Sequence, residues 1–92
     1  MRLELTTLGA WRVHGIVAEY DAQDDVIRID RDALASVERC GGRETARAFL
    51  RYALAHELAH RADPRRSEVE VHALAQGATG LCARQFSEML RR

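Results

Sequence analysis

His56 and His60 stand four residues apart, with Glu57 beside the first, in the run His56-Glu57-Leu58-Ala59-His60. In an α-helix that spacing puts both imidazoles on one face, one turn apart. Two neutral imidazole nitrogens so placed can meet a single Zn²⁺ at about 2.0–2.1 Å. Glu57 is rotated by about 100° from His56, following 3.6 residues per turn. It therefore does not share the coordination position, but it can take a proton from a water on the ion. The pattern is that of the H-E-x-x-H zinc signature, and it requires residues 43–62 to be helical.

The surrounding residues agree. Residues 43–62 are rich in Ala, Leu and Arg, all strong helix formers. Phe49, Tyr52 and Ala53 share the face of the two histidines, whereas Leu50, Leu54 and Leu58 lie on another side. A helix apolar on more than one face belongs at the centre of a domain. Before it, residues 31–40 form a short helix that stops at Gly41-Gly42. After it, Asp63-Pro64-Arg65-Arg66 is a break. Ser67 then caps a new helix, with Glu70 three residues on as in a capping box. That helix is expected to run to about Met89.

The N-terminal third reads as β. The segment from Trp11 to Tyr20 and the run Val26-Ile27-Arg28-Ile29-Asp30 flank the polar turn Asp21-Ala22-Gln23-Asp24-Asp25, as in a β-hairpin. Residues 2–8 add a third strand or a short helix. The expected fold is α+β: a small N-terminal antiparallel sheet, then helices. At 92 residues the chain supports a single domain, 1–92, with one modest core.

Two histidines make a poor zinc site without a third ligand. A tight turn over residues 63–66 would lay the next helix antiparallel to the first. That helix offers Glu68, Glu70 and His72. Glu68 is nearest its apolar stripe (Val71, Leu74, Ala75, Ala78, Leu81, Cys82 and Met89) and level with His60. Glu70 has the capping-box role as a competing explanation, and His72 remains an alternative ligand.

The stretch Ala55 to His60, followed by Glu68-Val69-Glu70-Val71-His72-Ala73-Leu74-Ala75, resembles the gluzincin metallopeptidases, and within them the ImmA/IrrE-like and integral-membrane zinc protease groups. Carried over residue by residue, the resemblance implies His56, His60 and Glu68 as metal ligands and Glu57 as catalytic base. His72 stands where those groups carry Asn or Asp, which supports a metal-bound histidine. Val71 replaces their Ala, and the gap from His60 to Glu68 is short for them. In size the chain resembles the minigluzincins, which implies a latent or self-inhibited site, with homo-oligomerisation or inhibitory self-association as partners' roles. Gluzincins place a strand edge along the substrate, which makes Val26 to Asp30 the expected substrate strand.

The implied chemistry is zinc-dependent hydrolysis of a peptide or protein substrate. Tyr52, Tyr20 and His14 are candidates by type for stabilising the oxyanion. The competing classes are a non-catalytic zinc-binding domain and a regulatory interaction module derived from a metallopeptidase. A structural site needs no acid at position 57 and closes with a fourth protein ligand.

Charge excludes other classes. Net charge is zero, so a nucleic-acid or anionic-membrane partner is not expected. All 14 basic residues are Arg. No apolar run approaches the roughly 20 residues of a membrane span, and an acid at position 4 argues against a secretory signal. A cytoplasmic location is expected. Cys40 and Cys82 fit no paired metal motif and are expected as small thiols, with a Cys40–Cys82 disulfide as the alternative.

Overall fold

The computed structural model describes residues 1–9 and 17–91. Among them are three strands, β1 (Arg2–Thr6), β2 (Ala18–Asp21) and β3 (Val26–Asp30). Four helices follow: α1 (Arg31–Gly41), α2 (Arg43–Ala62), α3 (Glu68–Thr79) and α4 (Arg84–Arg91). The α+β order is the one the sequence implies. His14 and most of the Trp11–Tyr20 segment lie outside the described residues.

The sheet order is β1-β3-β2. β2 and β3 form the expected antiparallel hairpin, with Tyr20 opposite Ile27 and Ala18 opposite Ile29. β1 instead pairs parallel with β3, placing Leu3 against Ile27 and Leu5 against Ile29. The sheet is therefore mixed rather than antiparallel. An alternating strand pattern carries no direction, so nothing in residues 2–8 announced this.

β3 is the centre of the sheet, and Val26, Ile27, Ile29 and Asp30 are fully buried on it. Such a run on both faces is the mark of a covered strand. Ile27 and Ile29 face the helices and pack with Ala33, Val37, Phe49 and Ala53. On the opposite face Arg28 pairs with Asp21 at 3.1 Å and Glu19 at 3.5 Å. Because β3 has a neighbour on both edges, it cannot offer a free edge to a peptide. This corrects the expectation that Val26–Asp30 lies along a substrate.

Asp30 joins strand to helix. One carboxylate oxygen accepts from the Ala33 N–H at 2.9 Å and caps α1; the other accepts from the Leu8 N–H at 2.9 Å. Gly42, with φ of 89°, then ends α1 and starts α2 without an intervening loop. Few residues other than glycine adopt that conformation cheaply.

The long helix expected from Ser67 to Met89 is two helices. α3 ends at Gly80, whose φ is 72°, with its N–H on the Gln76 carbonyl. The chain then turns back so that Phe86, 3% exposed, meets Phe49 edge-on at 5.4 Å between ring centroids. A straight helix would carry Phe86 past the core. Ser36 on α1 fixes the return by donating to the Met89 carbonyl at 2.9 Å. Cys40 and Cys82 are free thiols. None of the helices among the described residues is long and apolar enough to cross a membrane.

The β2–β3 turn is tied to the end of α2. Asp25 accepts from Arg61 at 2.8 and 3.3 Å and from the Tyr20 hydroxyl at 2.8 Å, and lies 3.3 Å from the N-terminal amine. The Arg61 guanidinium and the Tyr20 hydroxyl hold the Asp25 carboxyl well below the usual carboxylate range.

Two predictions follow from these ties. Asp30→Ala removes a cap and leaves the Leu8 N–H without its partner, so it should cost about 2–4 kcal/mol in urea unfolding. Asp30→Asn should recover little of that, because both oxygens accept from N–H groups and an amide nitrogen cannot. Asp25 ionises more readily folded than unfolded, so its stabilisation is complete above its unfolded pKa of about 3.9 and is lost as pH falls below it. Asp25→Asn should therefore unfold at lower urea than wild type at pH 7, and the gap between the two midpoints should narrow steadily as pH falls from 5 to 2.

Candidate metal centre

Helix α2 presents Tyr52, His56 and His60 at successive four-residue steps, on the face turned towards α3. The partners on α3 are Glu68, in its first turn, and His72, one turn later. Glu68 meets His56 and His60, and His72 meets Tyr52. The order is reversed between the helices, so they run antiparallel, joined by residues 63–67. This is the arrangement the short break predicts.

The Glu68 carboxylate bridges the two motif histidines. Its oxygens lie 2.9 Å from His60 Nε2 and 3.2 Å from His56 Nε2. His72 Nε2 is 3.8 Å from the same carboxylate, and its ring stands 4.8 Å from that of His56. The other nitrogen of His72, Nδ1, is hydrogen-bonded to the Tyr52 hydroxyl at 2.7 Å. His56, Glu68 and His72 bring their donor atoms within 4.8 Å of one another, and so do His56, Glu57 and His60.

Glu57 is 5% exposed. One of its oxygens lies 2.8 Å from His56 Nδ1. A carboxylate on Nδ1 keeps the proton there and leaves the Nε2 lone pair free for a metal. The resemblance implies support of a ligand histidine from position 72, with His72 as an alternative ligand. Among the described hydrogen bonds His72 makes none to His56 or His60, and Glu57 holds His56 instead. The Glu57 carboxylate beside it, helped by Glu68, pushes the His56 pKa up against the opposing effect of burial.

Glu70 stands apart from the cluster. Its backbone N–H donates to Ser67 Oγ at 3.2 Å, and its carboxylate receives the Ser67 hydroxyl at 3.3 Å. It is thus part of the helix cap, and belongs to neither group of candidate ligands.

Imidazole nitrogen and carboxylate oxygen are donors that zinc accepts. The separations of 2.9 and 3.2 Å at Glu68 are those of imidazole–carboxylate hydrogen bonds. Among the described residues the two close groups share His56, and His60 and Glu68 fall in different ones.

The cluster opens into a cleft of about 970 Å³. α2 and α3 form one side, β2 another, and Phe86 and Leu90 of α4 a third. The strand at the cleft is β2, the edge of the sheet, and among the described residues its outer edge has no pairing strand. Tyr20 lines the cleft, but its hydroxyl is committed to Asp25. Tyr52 is buried next to His56 and His72, and burial pushes its pKa up. Neither β2 as the edge strand nor α4 as a wall was legible. The first needs the pairing order, and the second depends on the break at Gly80.

The chain matches no protein-family model, no curated protein and no solved structure.

If this cluster takes Zn²⁺, the metal should stabilise the fold by mass action, by about 2.7 kcal/mol at 100 times Kd. Thermal unfolding should then shift upward by about 10–20 °C, at about 4–8 °C per kcal/mol for a domain of this size. The shift should vanish in the His56→Ala, His60→Ala double variant and persist in Glu70→Ala. A Glu70→Ala protein that loses it would show that Glu70, not Glu68, is the ligand.

Proposed function

We propose that the protein is a small zinc-dependent metallopeptidase of the gluzincin type. The observation that supports it most directly is the Glu68 carboxylate held between His56 Nε2 and His60 Nε2, with a buried acid next to the first histidine. In this assignment His56, His60 and Glu68 hold Zn²⁺. A zinc ion in such a site polarises a carbonyl and makes water acidic enough to lose a proton near neutral pH.

The protein's own groups then have separable tasks. Glu57 takes the proton of the attacking water and returns it to the amine that departs as the C–N bond breaks. It can do so from the oxygen not engaged with His56, since a carboxylate has about four lone-pair sites. The β2 edge offers backbone donors and acceptors to an extended peptide or protein chain. Phe86, Tyr52 and Ala18 give the cleft its apolar walls.

A second assignment has a specific observation in its favour. His72 adds a fourth donor near the carboxylate, and Glu57 is already bonded to His56. A zinc domain with no catalytic role would use Glu57 only to orient that histidine.

Glu57→Gln separates the two. The amide oxygen of Gln can still accept from His56 Nδ1–H, so zinc affinity should stay close to wild type. Loss of the base should lower kcat on an unfolded protein or a mixed peptide library by roughly 10²–10⁴-fold. Hydrolysis that survives the change at the wild-type rate would sink the peptidase mechanism. Stoichiometric zinc with no hydrolysis by wild type or by His72→Ala would favour the second assignment.

A further inference from the structure

The peptidase mechanism gives His72 no task. A histidine four residues after Glu68 lies one turn along α3 on the same face. Its Nδ1 is fixed by the Tyr52 hydroxyl at 2.7 Å, and Tyr52 is itself only 7% exposed. When Nδ1 carries the proton and donates to Tyr52, the Nε2 lone pair is free. Nε2 lies on the Glu68 side, 3.8 Å from that carboxylate. Nε2 of His56 and of His72 lie 3.2 and 3.8 Å from one oxygen of that carboxylate, and Nε2 of His60 lies 2.9 Å from the other. His56, Glu68 and His72 hold their donor atoms within 4.8 Å of one another, a spread that a tetrahedral zinc would draw in to about 3.3 Å.

We propose that His72 is a fourth protein ligand, so that the resting site is a closed set of three histidines and one glutamate. The proposal rests on the metal assignment made above. Its consequence is regulatory. A site closed by four protein ligands leaves no position for water, whereas a catalytic zinc site keeps one open. Hydrolysis then waits until His72 moves aside. His72 is the histidine of the cluster best placed to leave: its side chain is 46% exposed, against 15% for His56 and 23% for His60. It also lines the cleft that a peptide would enter. The Tyr52 bond acts as a latch, because it fixes the ring orientation that closes the site.

The test uses the full-length protein loaded with Co²⁺, a spectroscopic stand-in for zinc, with azide as a small external ligand. Wild type should show a four-coordinate cobalt spectrum that azide leaves unchanged. His72→Ala should bind Zn²⁺ at least roughly tenfold more weakly, and its cobalt spectrum should shift on adding azide. His72→Asn, too short to reach the ion but still polar on a half-exposed position, should behave as His72→Ala does and guards against misfolding. Peptide hydrolysis by either variant at saturating zinc should exceed that of wild type. A wild-type spectrum that already responds to azide, or unchanged zinc affinity in both variants, overturns the fourth ligand and leaves His56, His60 and Glu68 in place. If His56→Ala and His60→Ala bind zinc as wild type does, the metal assignment itself fails, and this proposal with it.

Discussion

One carboxylate, Glu68, set between the imidazoles of His56 and His60, determines how α2 and α3 meet. Helix hairpins usually find their register through apolar packing, which tolerates small slides. Here the apolar contact is thin: Val71 and Ala75 are the buried residues of α3, while Val69 and Leu74 face solvent. A slide of one turn, about 5.4 Å, would leave Glu68 beside only one of the two histidines and Tyr52 without His72. The polar pairs therefore add to the register that Val71 and Ala75 begin. In the absence of a metal the cluster holds itself as charge-assisted contacts, with the His56 pKa raised by Glu57 and then Glu68. Such contacts at partly exposed positions are worth little each. They select an arrangement more than they stabilise it, and a cation of suitable size would find the donors already gathered.

The sheet supplies the other half of the frame. β3 is buried on both faces and ends in Asp30, whose two oxygens bind the β1–loop junction and the first turn of α1. Gly42 joins α1 to α2 without a loop, so the direction of α2 follows from that of α1. Arg61, one residue beyond His60, then clamps the far end of α2 to Asp25 in the β2–β3 turn. The histidines sit between two anchors on the same hairpin, which is why β2 borders the cleft.

Local rules made much of this legible. The His56-Glu57-Leu58-Ala59-His60 spacing placed the cluster on α2, Gly41-Gly42 ended α1, and the Ser67–Glu70 cap began α3. Glu68 was legible as the acid nearest the apolar stripe of that helix, with His72 as the alternative ligand. What stayed hidden depends on non-local pairing. The parallel contact of β1 with β3 is decided by chain direction, to which side-chain alternation is blind. It also settles which strand is central, so the expected substrate strand turned out to be the middle of the sheet. The break at Gly80 was signalled by Thr79-Gly80, yet the apolar spacing beyond it (Leu81, Cys82 and Met89) continues a helical period and masks the stop. With that stop unread, Phe86 could not be placed against Phe49 and Tyr52.

In the proposed peptidase Glu57 would carry two tasks. Larger metal sites use one acid to orient a ligand histidine and another to move the proton. In the described residues Glu57 is the acid that reaches His56 Nδ1, and it is also the acid that the motif places next to the reacting water. In a site closed by His72, as proposed above, Glu57 would need only to orient His56. The base would be needed once His72 had moved and water had entered the cleft. Latency and catalysis would then be two states of the same five side chains, separated by the rotation of one imidazole.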